Sequence, residues 1–171
     1  MDLMIRTATL DDAEELRSYA IKLFAEDLPG IFRRADPTLE DEMGFIRTHL
    51  EPDNSTLLVA VSDGGVVGLL DVLGGTLEQQ AHEGTFGVSV DRDHRGRGVG
   101  SAMIRAMVAW TPEHGISRLQ AWAWASNPRA LALYERLGFE REGLCRRAVM
   151  VDGEPVDAIL IARLLDERRS S

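Results

Sequence analysis

The stretch Val88-Ser89-Val90-Asp91-Arg92-Asp93-His94-Arg95-Gly96-Arg97-Gly98-Val99-Gly100-Ser101 constrains this chain more than any other. It joins an apolar strand to an amphipathic helix through glycines at alternate positions. Glycine at a helix entry lets main-chain N–H groups approach a ligand with no side chain in the way. Those groups lack intrahelical acceptors and sit at the positive end of the helix dipole. Together they make an anion site suited to a pyrophosphate, and Arg95 and Arg97 add mobile positive charge beside it. A tight strand-to-helix turn with no ligand is the plain alternative. The phosphate loop of NTPases needs Gly-Lys-Ser/Thr, which does not follow here. The dinucleotide fingerprint Gly-x-Gly-x-x-Gly is also not met, because the order is Gly96-x-Gly98-x-Gly100. Nor does Arg118-Leu119-Gln120-Ala121 offer the acid that fold wants about 20 residues on.

Strands and helices alternate around this stretch. Met4 to Ala8 reads as a strand and Ala13 to Phe24 as an amphipathic helix, broken at Leu28-Pro29-Gly30. Thr38 with Asp41 resembles a capping box and opens a helix through Leu50. Leu57 to Val61 and Val66 to Leu73 flank Asp63-Gly64-Gly65, a hairpin signal. Thr85 to Val90 is a strand. Gly98 to Trp110 is a helix with Val99, Met103, Ile104, Met107 and Val108 on one face. Arg118 to Ala125 is a strand, Pro128 to Leu137 a helix capped by Gly138, and two strands flank Asp152-Gly153. The class is α/β or α+β with a mixed central sheet.

The chain has 171 residues, 44% hydrophobic and 27% charged, which fits one domain with its own core. The formal net charge is −9. Such a surface argues against binding nucleic acid through its phosphates and is compatible with an amine-bearing acceptor. Cys145 is the one cysteine, too few for a disulfide framework or a metal cage, so a reducing compartment and no metal are expected. The start, MDLMIRTATLDD, has no apolar signal region, and no apolar run is long enough to span a bilayer. A cytoplasmic protein without membrane contact is expected.

Downstream comes Asn127-Pro128-Arg129-Ala130-Leu131-Ala132-Leu133-Tyr134-Glu135-Arg136-Leu137-Gly138-Phe139. Alone, Ala130, Leu133, Tyr134 and Leu137 form a core stripe on a helix. Taken with Arg95-x-x-Gly98-x-Gly100 upstream, the pair of segments resembles the GNAT N-acetyltransferases over Phe86 to Phe139. The resemblance extends more loosely to Asp152-Gly153-Glu154-x-x-Asp157, as in bacterial members that acetylate amino acids, protein N-termini or other small amines. It implies a GNAT fold: about seven mixed strands with splayed central strands, flanked by about four helices. It implies one domain over 1–171, with 1–80 shaping the acceptor site, 81–139 binding acetyl-CoA and 140–165 closing the sheet. Family habit also implies a homodimer.

Site residues follow from the same resemblance. Val88, Ser89 and Val90 lie on the strand that pairs with the pantetheine arm. Arg95, Gly96, Arg97, Gly98, Val99, Gly100 and Ser101 match the pyrophosphate loop, and Asn127 and Ala130 the pantetheine region. Tyr134 matches the tyrosine beside the sulfur, the general acid. The Val90 N–H is the candidate oxyanion donor. The implied activity is direct acetyl transfer from acetyl-CoA to a primary amine of a small molecule or peptide N-terminus. A catalytically silent acetyl-CoA sensor is the alternative.

The base departs from the family pattern. Many relatives carry a Glu at the position of Gly84. Glu83 is adjacent but alternation turns it to the other face unless a bulge intervenes. His82 reads as an exposed loop residue. Asp71, between Leu70 and Val72, suits a cleft in a splayed sheet. Glu83 or Asp71 acting through water is the expectation. Cys145 has no His partner at recognisable spacing and reads as a small hydrophobe. Trp122 and Trp124 share a strand face and read as core. Phe32, Arg33 and Arg34, between the first two helices, are candidates for contacting an acceptor carboxylate.

Overall fold

The computed structural model of the protein describes residues 2–26, 28, 30–31 and 36–165. Its strands are β1 (Leu3–Thr7), β2 (Thr56–Ser62), β3 (Gly65–Gly74), β4 (Glu83–Val90), β5 (Arg118–Trp124), β6 (Glu140–Val151) and β7 (Glu154–Leu164). Its helices are α1 (Ala13–Phe24), α2 (Leu39–Leu50), α3 (Val99–Trp110) and α4 (Pro128–Arg136). The strands form one seven-stranded sheet in the order β1-β2-β3-β4-β5-β7-β6. Neighbours run antiparallel except β4 and β5, which are parallel.

Local chemistry explains the elements. Asp63 and Asp152, each followed by glycine, adopt φ of 52° and 50°, as hairpin turns between twisted strands require. The Thr38 hydroxyl accepts from the Asp41 N–H at 3.1 Å, while the Thr38 N–H donates to Asp41 Oδ2 at 2.8 Å. That capping box starts α2. α3 buries Val99, Met103, Ile104 and Met107, the stripe expected from their spacing.

Strand alternation sends side chains to two faces. One face carries Leu58, Leu70, Val72, Phe86 and Leu119 into a core with α3 and α4. The other carries Leu57 and Val59 against Leu16 and Ile46 of α1 and α2. On β5, Ala121 and Ala123 follow Leu119 into the first core. The tryptophans expected in the core lie on the opposite face, where Trp124 is buried but Trp122 is 49% exposed. Small residues under α3 and α4 leave room for the helices' own large side chains.

The sheet has one break. β4 pairs with β5 only at Glu83↔Arg118, Gly84↔Leu119 and Thr85↔Gln120. Beyond Thr85, β4 continues along β3 to Val90, while β5 follows β7. The strands therefore diverge and leave the β4 edge open from Phe86 onward. β4 begins two residues before the sequence expectation because Glu83 and Gly84 belong to this short parallel ladder. Among the described residues no helix is long and apolar enough to cross a membrane.

Candidate active site

The divergence of β4 and β5 opens onto a cleft of about 610 Å³. Val88 to Val90 form one wall, the loop from Arg95 to Ser101 one end, and α4 the other wall. The Asp91 N–H donates to Val67 O at 2.9 Å, on the β3 side. Alternation along an antiparallel strand then turns the peptide groups of Val88 and Val90 toward the gap. At the loop end, Gly98 has φ of 87° and caps α3. Only glycine adopts that conformation without steric cost. The first helical bond of α3 runs from the Ala102 N–H to Gly98 O at 2.9 Å, so the N–H groups of Val99, Gly100 and Ser101 have no intrahelical acceptor. A strand edge leading to a helix N-terminus fits a long ligand with an amide arm and an anionic end, as coenzyme A has.

The cations differ from the sequence expectation. Arg95 is not mobile: its guanidinium donates to both Glu26 oxygens at 2.6 and 2.8 Å and to Val90 O at 2.8 Å. It ties the end of α1 to the loop. Arg97 is exposed and does not line the cleft. Arg129 and Arg136 do, and they escaped the sequence reading. Their signal is a seven-residue spacing, two turns apart on one side of α4. Asn127 and Ala130 line the cleft, and Asn127 Oδ1 accepts the Ala130 N–H at 3.1 Å as the cap of α4. Phe32, Arg33 and Arg34 lie outside the described residues.

Tyr134 reaches the cleft from α4. Phe86 and Phe139 hold its ring, with centroids 5.6 and 6.0 Å away in edge-on contacts. Burial first, and the negative charge of Asp71 second, push its hydroxyl up to about 12. It therefore keeps its proton at neutral pH. Tyr19 of α1 is buried against the same strand, and its hydroxyl donates to Ser89 Oγ at 3.0 Å.

The structure separates the carboxylates. Asp71 on β3 stands opposite Gly87, beyond the point where β5 departs. A Cβ at Gly87 would come within 2.8 Å of Asp71 Oδ1, so the missing side chain makes room for the carboxylate. Burial pushes Asp71 above the usual carboxylate range, against the lowering effect of His49. Its side chain is still 32% accessible, so water reaches it. Glu83 sits where β4 and β5 are still paired, its carboxylate 3.7 Å from Arg118. A Cβ at Gly84 would meet Val72, Leu119 and Ile116 at 3.0, 3.2 and 3.4 Å, all apolar. His82 and Cys145 are exposed.

His49 also escaped the sequence reading. It is 3% exposed on α2, with Nε2 3.8 Å from Asp71 Oδ2. That nitrogen is buried without a hydrogen-bond partner, a state that costs about 1–3 kcal/mol. The signal for it is the period Glu42, Ile46, His49, a buried stripe with polar residues at both ends.

This geometry agrees with comparisons to known proteins. The profile described as "Acetyltransferase (GNAT) family" matches residues 18–139. The L-amino acid N-acetyltransferase AaaT of Escherichia coli is 34% identical over 108 residues, 63% of this chain and 67% of that one. A GNAT-family acetyltransferase structure from Streptococcus pneumoniae superposes with a TM-score of 0.86 at 25% identity, covering 95% of this chain and 99% of that one. The phosphinothricin acetyltransferase of Sinorhizobium meliloti, solved with AcCoA, superposes at 0.84 and 22% identity over 100% of this chain and 92% of that one.

Proposed function

Because this chain belongs to the GNAT family of acetyltransferases, we propose that it moves the acetyl group of acetyl-CoA directly to a primary amine, with a small molecule of the amino-acid type or a peptide N-terminus as acceptor. Bound acetyl-CoA supplies the activated thioester. An acceptor ammonium has an ordinary pKa of about 10.4 in a lysine-like amine, so it must lose a proton before it attacks. The Asp71 carboxylate takes that proton, directly or through one water. The Val90 N–H, turned into the gap, donates to the carbonyl oxygen as negative charge develops on it. Tyr134 gives its hydroxyl proton to the departing sulfur. The loop from Arg95 to Ser101 and the Arg129 and Arg136 side chains hold the anionic end.

One observation carries this reading: Tyr134 lines the cleft that opens where β4 and β5 part, and Asp71 stands on β3 opposite Gly87, beyond that parting, near enough for its charge to add to burial in raising the phenol. Incubation with acetyl-CoA and a pooled set of amino acids, polyamines and peptides, read by mass spectrometry, tests it. Acetylated amine is the expected product. The sensor reading draws support from Gly84, which stands where many relatives carry a Glu. Tight coenzyme A binding by calorimetry, without acetylated product from any amine, would favour it. We extend the reading to a homodimer, supported by Leu144 and Met150 standing exposed on β6. Analytical ultracentrifugation measures the assembly.

A further inference from the structure

His49 Nδ1 lies 2.7 Å from Phe45 O. A carbonyl only accepts, so Nδ1 carries the hydrogen. Nε2 then presents either a lone pair or a second hydrogen to Asp71 Oδ2, 3.8 Å away. A lone pair facing an ionised carboxylate in a buried place gains nothing for either group. A hydrogen between them satisfies both. We propose that His49 is a positioning residue for Asp71: with Nδ1–H held by Phe45 O, a second hydrogen on Nε2 makes the ring a cation that faces Oδ2 across 3.8 Å as an ion pair, which fixes the carboxylate's orientation and leaves its other oxygen to take the acceptor's proton. This rests on the reading of Asp71 as the base.

The proton balance is simple. An N–H bond of the acceptor ammonium breaks and an O–H bond forms on Asp71. That proton stays on Asp71, because both nitrogens of His49 already carry hydrogen, and the neutral amine is left to attack. Water at the accessible side of Asp71 later removes the proton. Besides His49, the Asp71 carboxylate is stabilised by the main-chain N–H groups of Gly87 and of Asp71 itself. On β2 and β4 the residues opposite Asp71 are Leu57 and Gly87, neither charged. Among the described residues, the titratable groups that act on or feel Asp71 are His49 from α2 and Tyr134 from α4. His49 meets Asp71 across the helix–sheet boundary and the Phe45 ring, with centroids 4.4 Å apart, on its own helix.

The test is His49→Gln beside Asp71→Asn, with kcat and KM followed across pH. Gln fills the space and offers a donor but cannot carry a positive charge. His49 lowers the Asp71 pKa, so its loss moves the acid limb of kcat to higher pH. The expected result for His49→Gln is that upward move, with a fall in kcat smaller than that of Asp71→Asn and an unchanged KM for acetyl-CoA. An acid limb that stays in place in His49→Gln would overturn the proposal and leave His49 a packing residue. An unaltered limb and kcat in Asp71→Asn would instead remove Asp71 as the base. Nitrogen NMR of the wild-type imidazole keeps the test independent of the variant's folding. The Nε2 signal must be that of a protonated nitrogen at the pH of the assay, and an unprotonated Nε2 would also overturn the pairing.

Discussion

At the scale of single residues, the proposed mechanism depends on a phenol that keeps its proton until the sulfur departs and a carboxylate that takes one from the acceptor. Tyr134→Phe removes the hydroxyl and leaves the ring against Phe86 and Phe139. Its kcat should fall by about 10²-fold or more, the size of a lost general acid, with little change in the KM for acetyl-CoA. Steady-state kinetics with both substrates varied separates the two constants. Asp71 carries the opposite cost. Its folded pKa is raised, so the native state favours the neutral acid. Stability is then fully present below the ordinary carboxylate pKa and is lost as pH rises through the folded value. Asp71→Asn should therefore melt higher than wild type at neutral pH while losing activity. The gap in melting temperature should close in acid, where both side chains are neutral. Tyr134 was legible in the chain because its helix follows a recognisable glycine loop at the right distance. Asp71 was legible only as one of two candidates, since a lone acid in an apolar strand has no partner in the linear chain.

At the scale of elements, ion pairs fix where helices meet strands. Arg6 at the end of β1 donates to both Asp12 oxygens at 2.8 and 2.6 Å, and the Thr9 N–H donates to the same carboxylate at 2.7 Å. This joins β1 to the start of α1. Those partners, the Arg6 hydrogen bond first, hold Asp12 down at about 2. The contribution to stability is present above the ordinary value of about 4 and is lost as pH falls toward the folded value. Asp12→Asn should cost about 1–3 kcal/mol at pH 7. The difference from wild type should shrink as pH drops from about 4 to about 2. Denaturant unfolding at several pH values measures it. Arg95 shows the same logic where the sequence reading erred. A basic residue beside a glycine loop reads as a phosphate ligand, yet Glu26, 69 residues earlier, claims its guanidinium.

At the scale of the whole molecule, the sheet's break does two jobs: it opens the cleft and decides which strand positions face it. Position 84 lies before the break, among Val72, Leu119 and Ile116. Gly84→Glu would overpack an apolar site and bury a carboxylate without a partner. It should destabilise by a few kcal/mol or more, roughly the sum of overpacking and burial costs. It should not restore turnover to Asp71→Asn. Thermal melts of the single variant and assays of the double variant check both statements.

The linear chain by itself determines what rests on neighbours in sequence. The helix stripe of α3, the Asp-Gly hairpins, the capping box of α2 and the glycine-led entry to α3 are all set within a few residues. Periodicity, turn conformations and unpaired N–H groups are local properties of a backbone. Tertiary structure alone decides which polar groups meet once strands and helices are stacked. His49 reaches Asp71 because α2 lies over β3, and Arg95 is immobilised because α1 ends beside the loop. The alanines rather than the tryptophans of β5 face the core because α3 and α4 cover that side. No pattern in sequence encodes these meetings directly, since each depends on how one face of the sheet is covered.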